Sequence, residues 1–503
     1  MPLTLVLGPA NSAKAGELFG AYADAAHRGG WLVVPNARDA EHYRRELAEQ
    51  GVVLGSVVTF TGLAEEIARR GGYGGRRVTE LQLQQLLARA VRRAELSSLA
   101  RSAETAGFAR ALGELISELE RSLVSPDRFT RAMAQRSRYA REVAALYAAY
   151  AHELERRGRV DGELFTWRAL DALRAAPGSW GSEPVFFYGF DDLHALQLDA
   201  VETLARMVGV EVMVSLTYEP GRGALRARAD VVEQLRPLAE RVLQLPAADE
   251  HYETASRRVL HHLERHLFED EPPSTRPHAG QAVQLLEAAG ERAEAELIAA
   301  EVLALVRAGV AAEEIAVVDR SPTAGLPAVF EEYGIPLRLE RRVPLRATAL
   351  GQGLLALARC ALLPDASAGD LLRYLRAPGV LERPELADAL ELEVRRQGLG
   401  TVVQARARTP LALRDIDATA SAGDPAEELV RQGRRMLAAP HRGSAALLDH
   451  DAALDAAALA AMAAALDELD ELGLRPAGSE LIGWLETLEL QAPVAPAEGA
   501  VLL

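Results

Sequence analysis

Lysine is all but missing from this chain. Of its 56 basic residues a single one, Lys14, is lysine and the rest are arginine. Such a skew fits GC-rich coding, so the surviving lysine asks for a chemical reason why arginine would not serve. Cysteine is equally scarce. Cys360 has no partner in the chain, which excludes an internal disulfide and a four-cysteine metal or iron–sulfur site within this stretch. No apolar run approaches the roughly 20 residues that cross a bilayer, and the N-terminus lacks the pattern of an export signal. A cytoplasmic location with no membrane partner is therefore expected. Positive charge is also in deficit. The net charge of −16 does not advertise a nucleic-acid binder, although a local basic groove can hide inside an acidic total.

What is present is ordinary in bulk and specific in detail. The 503 residues exceed one hydrophobic core, so several domains are expected. Leu3–Leu7 is a short apolar run, Gly8–Ala13 is turn-prone and Ala15–Ala26 is amphipathic. That order reads strand, turn, helix. Trp31–Val34 and Val57–Phe60 are further strands, each followed by a helical pattern, as in a parallel sheet with crossover helices. Thr79 to about Leu173 reads as helical, and β character returns at Val185–Tyr188 and Val210–Leu216. Phe268–Gly280 reads as a linker. Beyond it the pattern predicts strands at Val283–Leu286, Ile315–Val318 and Leu337–Leu339, with helices at Glu291–Ala308 and Gly325–Tyr333. From Ala347 the chain reads as helical, with a loop-like break at Thr409–Asp424 and strong helix formers at Ala452–Ala465.

The turn after the first strand carries the chemistry. A phosphate-binding loop needs G-x-x-x-x-G-K-[ST]: glycines let backbone N–H groups wrap the phosphates, Lys reaches their oxygens, and Ser/Thr holds Mg²⁺. Here Gly8 and Lys14 are in place, Ala13 replaces the second glycine and Ala15 replaces the hydroxyl. Lysine at this slot explains its survival, because a planar guanidinium is too bulky for a phosphate nest. Further on, Val185–Phe187 runs into Tyr188-Gly189-Phe190-Asp191-Asp192, with Gln197 beyond. His262 and His266 stand four apart on a predicted helix but lack the adjacent glutamate of a zinc motif, so a solvated helix face is expected. The same holds for His42, Tyr43, Arg44 and Arg45.

These motifs resemble those of the UvrD-like superfamily 1 helicases. In that family the second strand ends D-E-F-x-D-x-x-x-x-Q. Phe190, Asp192 and Gln197 fit, whereas Tyr188 and Gly189 stand where the metal-binding Asp and the water-polarising Glu belong. Pro35 and Asn36 fall on a turn that contacts DNA in the family. Thr59, Phe60 and Thr61 fall on its T-F-x-x-L DNA motif. Tyr147, Tyr150, Leu154 and Asp161 match a Y-x-x-Y-x-x-x-L…D stretch. Arg320 occupies the slot of an arginine that reaches the γ-phosphate.

The nearest likeness is to AddB/RexB-type subunits of helicase–nuclease complexes, whose helicase-like front half often does no unwinding. The resemblance implies an α/β fold of two RecA-like P-loop NTPase domains with parallel sheets, each with a helical insertion and the second incomplete. The expected limits are 1–78 and 181–267 for the first domain, with 79–180 inserted. Residues 268–280 form the linker. The second domain takes 281–346, an insertion at 347–494 and a returning strand at 495–503. The implied function is DNA binding within a double-strand-break-processing complex beside an AddA-like helicase–nuclease subunit. Gly8, Lys14, Asp192, Gln197 and Arg320 form a degenerate nucleotide site, which contacts ATP weakly without productive hydrolysis. The departures are the lost ATPase groups and the missing lysine and cysteines of the family's nuclease and iron–sulfur staple, expected past Leu503. Two alternatives stay open: an active, divergent ATPase that uses Asp192 for metal, and a non-enzymatic interaction scaffold.

Overall fold

Leu3–Gly8 (β1) is apolar at nearly every position, so it can be buried on both faces as only a covered parallel strand is. The chain then alternates strand and helix: Lys14–Ala26 (α1), Trp31–Val34 (β2), Ala37–Glu49 (α2), Ser56–Thr59 (β3) and Phe60–Gly71 (α3). In the computed structural model, which describes residues 3–105, 107–271, 273–319, 325–338, 342–441, 450–491 and 501–502, these elements open a compact unit reaching Gln284.

A helical excursion follows: Glu80–Arg93 (α4), the single turn Ala100–Ala103 (α5), Phe108–Arg121 (α6), Pro126–Met133 (α7), Arg138–Arg156 (α8) and Gly162–Ala175 (α9). The two-residue strands Arg76–Arg77 (β4) and Arg159–Val160 (β5) pair in parallel and close its base. Side-chain caps set its helix starts. Thr79 makes a reciprocal capping box with Gln82, Ser125 precedes Pro126 at the first helical position, and Asp161 accepts from the Leu164 amide. The sheet then resumes with Val185–Phe187 (β6), Ala195–Glu202 (α10), Val212–Thr217 (β7), Ala229–Leu235 (α11), Arg241–Gln244 (β8) and Arg257–His266 (α12).

The six long strands form one sheet in the order β3-β2-β6-β7-β1-β8, every pair parallel. Alternate side chains sort to its two faces. Val6, Leu32, Val34 and Phe186 pack under α1 and α2 with Leu18, Tyr22 and Leu47. Leu5, Leu7, Val33 and Phe187 pack on the other side with Leu63 and Ile67 of α3, Leu170 of α9 and Leu196 of α10. With helices on both faces, only the carboxyl ends of the strands and their loops stay open to ligands, as in other open α/β sheets.

From Leu285 onward the chain forms a second compact unit. It holds helices Glu291–Arg307 and Gly325–Glu332, then a helical body from Ala349–Leu362 to Ser479–Thr487. Its described strands are short: Arg342–Pro344 pairs antiparallel with Glu489–Gln491, and Leu337–Arg338 pairs in parallel with Val501–Leu502. The strands expected at Val283–Leu286 and Ile315–Val318 do not form among the described residues, where only Ala316 makes a one-residue bridge. Val283, Leu285, Leu286 and Val318 are exposed, so these runs bury nothing and find no ladder to join. A second parallel sheet is thus not what the described residues build. The expected break at Thr409–Asp424 contains a helix, Arg414–Ser421, that buries Ile416 and Thr419. No helix among the described residues is long and apolar enough to cross a membrane.

Candidate functional site

The loop between β1 and α1 keeps the path of a phosphate cradle after losing part of its chemistry. A Cβ at Gly8 would collide with the Ser12 side chain. Asn11 and Ala13 both sit in the left-handed region, at φ 54° and 58°. Ala13 is the position of the lost second glycine, so its Cβ carries strain of about 1–2 kcal/mol. Ala13→Gly is expected to raise stability by about 0.5–1 kcal/mol, because relief of strain exceeds the added chain entropy of the unfolded state. A thermal melt checks it, and a lower midpoint in the variant would count against the strain.

Lys14 is 9% exposed. Its ammonium donates to the Pro9 carbonyl and, at 3.1 Å, to Ser12 Oγ, which itself donates to Pro9 O at 2.9 Å. Burial pulls the ammonium down to about 8, Glu264 opposes that shift, and Arg228 adds to it. Asn11 Nδ2 donates to the Tyr252 hydroxyl at 2.9 Å and reaches Glu264 Oε2 at 3.4 Å.

At the end of β6 the expected metal-binding pair is replaced in space as well as in sequence. Tyr188 turns into an aromatic cluster, its ring centroid 4.7 Å from Phe19 and 5.5 Å from Tyr43. Gly189 takes φ 82°, a turn that suits glycine. Phe190 is buried against Phe187. Asp191 pairs with Arg228 at 2.9 Å. Asp192 is exposed and accepts from the adjacent Leu193 amide. Gln197 is spent on a capping box: it accepts from the His194 amide at 3.1 Å while His194 Nδ1 accepts from its own amide. Burial, with Arg121 nearby, lowers His194 to about 4 and keeps that Nδ1 free to accept. With Ala15, Tyr188 and Gly189 at the three positions that would hold Mg²⁺ and activate water, the residues present do not fit that ion.

The nucleic-acid candidates line the same edge. Asn36 and Thr59 cap α2 and α3, accepting from the amides of Asp39 at 2.9 Å and Gly62 at 3.2 Å. Pro35 and Thr61 are exposed. Pro35 lies beside Gly189, and the half-buried Phe60 ring meets His194 edge-on at 6.0 Å. The structure therefore brings the loops after β2, β3 and β6 together, with the Gly8–Lys14 loop one strand beyond, across β7. Arg320 lies outside the described residues. His262 and His266 stack 4.6 Å apart on α12. The residues the sequence did not flag are Tyr252, Glu264, Arg228 and His194. His194 had a visible signal, a polar residue three before Gln197 at a helix start. Glu264 had none, being 253 positions from Asn11.

Residues 40–271 match the family described as "ADDB, N-terminal". The chain is 27% identical over 382 residues to the AddB subunit of the ATP-dependent helicase/deoxyribonuclease of Pelotomaculum thermopropionicum, an alignment covering 69% of this chain and 32% of that protein. To the protein of the same description in Symbiobacterium thermophilum it is 28% identical over 367 residues, covering 65% and 30%. To that of Geobacillus thermodenitrificans it is 25% identical over 325 residues, covering 59% and 28%. The alignments span about a third of the length of these curated relatives.

Proposed function

From the premise that this chain is an AddB-type subunit in its N-terminal region, we propose that it is the DNA-binding, helicase-like part of a helicase–nuclease complex for double-strand-break repair, and that it does not itself hydrolyse ATP. One observation carries the reading. The carboxyl edge of the parallel sheet keeps the loops of a motor, while the positions that would hold metal and activate water are Ala15, Tyr188 and Gly189. Pro35, Asn36, Thr59, Phe60 and Thr61 are the proposed contacts to the polymer. Asn36 and Thr59 act mainly through the backbone they fix. Phe60 offers a ring for stacking. Any nucleotide contact would be through Lys14, weakly and without turnover, and an AddA-like partner would supply the motor. Asp192 does not favour a divergent ATPase, since its carboxylate already caps the next amide.

In this reading 1–78 with 181–267 form one motor-like domain around the inserted 79–180. The second comprises 281–346 and 495–503 around 347–494. The parallel pairing of Val501–Leu502 with Leu337–Arg338 supports that return. A PD-(D/E)XK nuclease of usual form needs a lysine that residues 15–503 lack, so the cutting activity in the relatives' name is not assigned to this stretch.

Titrating a fluorescent single-stranded oligonucleotide at rising salt tests the proposal. Binding is expected at 50 mM salt with a fall of about tenfold or more by 200 mM, since phosphate contacts release counterions. Phe60→Ala is expected to weaken it about tenfold through lost stacking. No complex even at the lowest salt would leave the scaffold alternative standing instead.

A further inference from the structure

We propose that α12 carries an internal anion, Glu264, which sits on the approach to the Gly8–Lys14 loop and keeps that loop from taking a nucleotide phosphate. The inference rests on reading the loop as a former phosphate cradle. It explains why the loop can keep its lysine without an ATPase to serve.

Glu264 is held in place from three directions. Its Oε2 accepts from the Tyr252 hydroxyl at 3.0 Å, lies 3.4 Å from the Asn11 amide nitrogen and is 3.8 Å from His261 Nδ1. Asn11 also donates to Tyr252 at 2.9 Å, so loop, tyrosine and carboxylate form one closed triangle. The carboxylate side chain is 8% exposed, and its Oε1 has no hydrogen-bond partner. A buried carboxylate with a spare oxygen needs a compensating positive charge. Lys14 is the cation whose charge Glu264 supports.

The same logic extends around the cavity of about 530 Å³ that Ala10 and Glu264 line together with Arg222 and Arg228. Arg228 is paired with Asp191 at 2.9 Å, and Arg222 with Glu269 at 2.5 Å and Glu219 at 3.5 Å. Each cation facing the cavity thus meets an acid of the same chain. An incoming phosphate would have to displace a carboxylate at the loop itself, and would meet like charge before reaching the ammonium. Leu260, Leu263 and Leu267 line the same cavity, so α12 is held there by apolar contact as well as by Glu264.

The test is calorimetric titration of the whole chain with inorganic pyrophosphate and with ADP. The parent is compared with Glu264→Gln, Tyr252→Phe and the double variant Glu264→Gln/Lys14→Ala. Glu264→Gln keeps the shape and an acceptor oxygen while removing the charge. It is expected to bind pyrophosphate about tenfold or more tightly than the parent, and the added Lys14→Ala is expected to erase that gain. Tyr252→Phe loosens the carboxylate and is expected to move affinity in the same direction by a smaller factor. It carries the test alone if the Glu264 variant does not fold by circular dichroism. Parent binding as tight as the variant's, and lost with Lys14→Ala, would overturn the plug while leaving the cradle intact. A gain that survives Lys14→Ala would also overturn it. If neither parent nor variants bind, the cradle reading itself falls, and the inference falls with it.

Discussion

Tyr188→Asp, which rebuilds the acid of a motor's metal site, is expected to cost about 2–3 kcal/mol of stability and to yield no ATP turnover. The ring at 188 packs against Phe19 and Tyr43 on the face covered by α1 and α2. Its hydroxyl also shares a hydrogen bond with that of Tyr43. Burial raises both phenols, Tyr43 to about 12. A carboxylate placed there would lose the aromatic contacts and be desolvated beside Glu46, whose charge already acts on this site. Turnover would still be missing because Ala15 offers no hydroxyl and Gly189 no general base. Urea unfolding followed by tryptophan emission suits the test, because Trp31, Trp167 and Trp180 all precede Gln284. Phosphate release with Mg²⁺, ATP and single-stranded DNA completes it. A variant as stable as the parent that hydrolyses ATP would mean the motor is one residue from repair, and the loss-of-motor reading would go with it.

The aromatic cluster also explains why motif reading succeeded at β6 and stopped short of the site. Five strands of the sheet were legible, since a strand buried on both faces is a run of apolar residues whatever surrounds it. β8 was not. Arg241–Gln244 lies at the sheet edge with only Val242 and Leu243 apolar, and both are half-buried. The opposite error fell on Val283–Leu286 and Ile315–Val318, where apolar content met no neighbouring strand. β propensity describes fit to a pleated, half-buried surface, and a run left exposed has none to fit.

Site legibility divides the same way. Lys14 stood out by composition alone, and the departures at Ala13, Ala15, Tyr188 and Gly189 could be counted from spacing. What those residues do instead could not. The left-handed Ala13 was foreseeable from the glycine it replaces. Asn36 and Thr59 look like ligand-contacting residues in a motif but spend their side chains on helix starts, a role the same residue types favour anywhere. Glu264 and Tyr252 reach the loop only through the fold. Their contacts span more than 240 positions, and no local pattern encodes such a meeting.

Glu120→Gln is expected to flatten a pH dependence that the helical excursion builds into the molecule. Glu120 of α6 and Asp161, the cap of α9, are both nearly fully buried, and with Glu163 they place carboxylate oxygens within 4.8 Å of one another. Asp161 is fully committed as an acceptor, from the Leu164 amide at 2.9 Å and the Tyr150 hydroxyl at 3.0 Å. Glu120 accepts only from Tyr147, at 3.3 Å, and its second oxygen has no partner. The geometry therefore puts the shared proton on Glu120, directed at Asp161. Burial, then the charge of Asp161, pushes Glu120 up from 4.5 to about 10. The folded value lies above the unfolded one, so the folded state holds a proton that the unfolded state releases. Its contribution to stability is complete below about pH 4.5 and is lost as the pH climbs toward 10. The loss runs at about 1.4 kcal/mol per pH unit across that window. Glutamine keeps the donor toward Asp161 and the acceptor for Tyr147 with no proton to lose. The variant should match the parent near pH 5 and exceed it by a growing margin at pH 7 and 9, read as the difference between urea midpoints. Parallel pH curves for the two proteins would place the proton elsewhere and leave Glu120 an ionised acid in a core that offers it no cation.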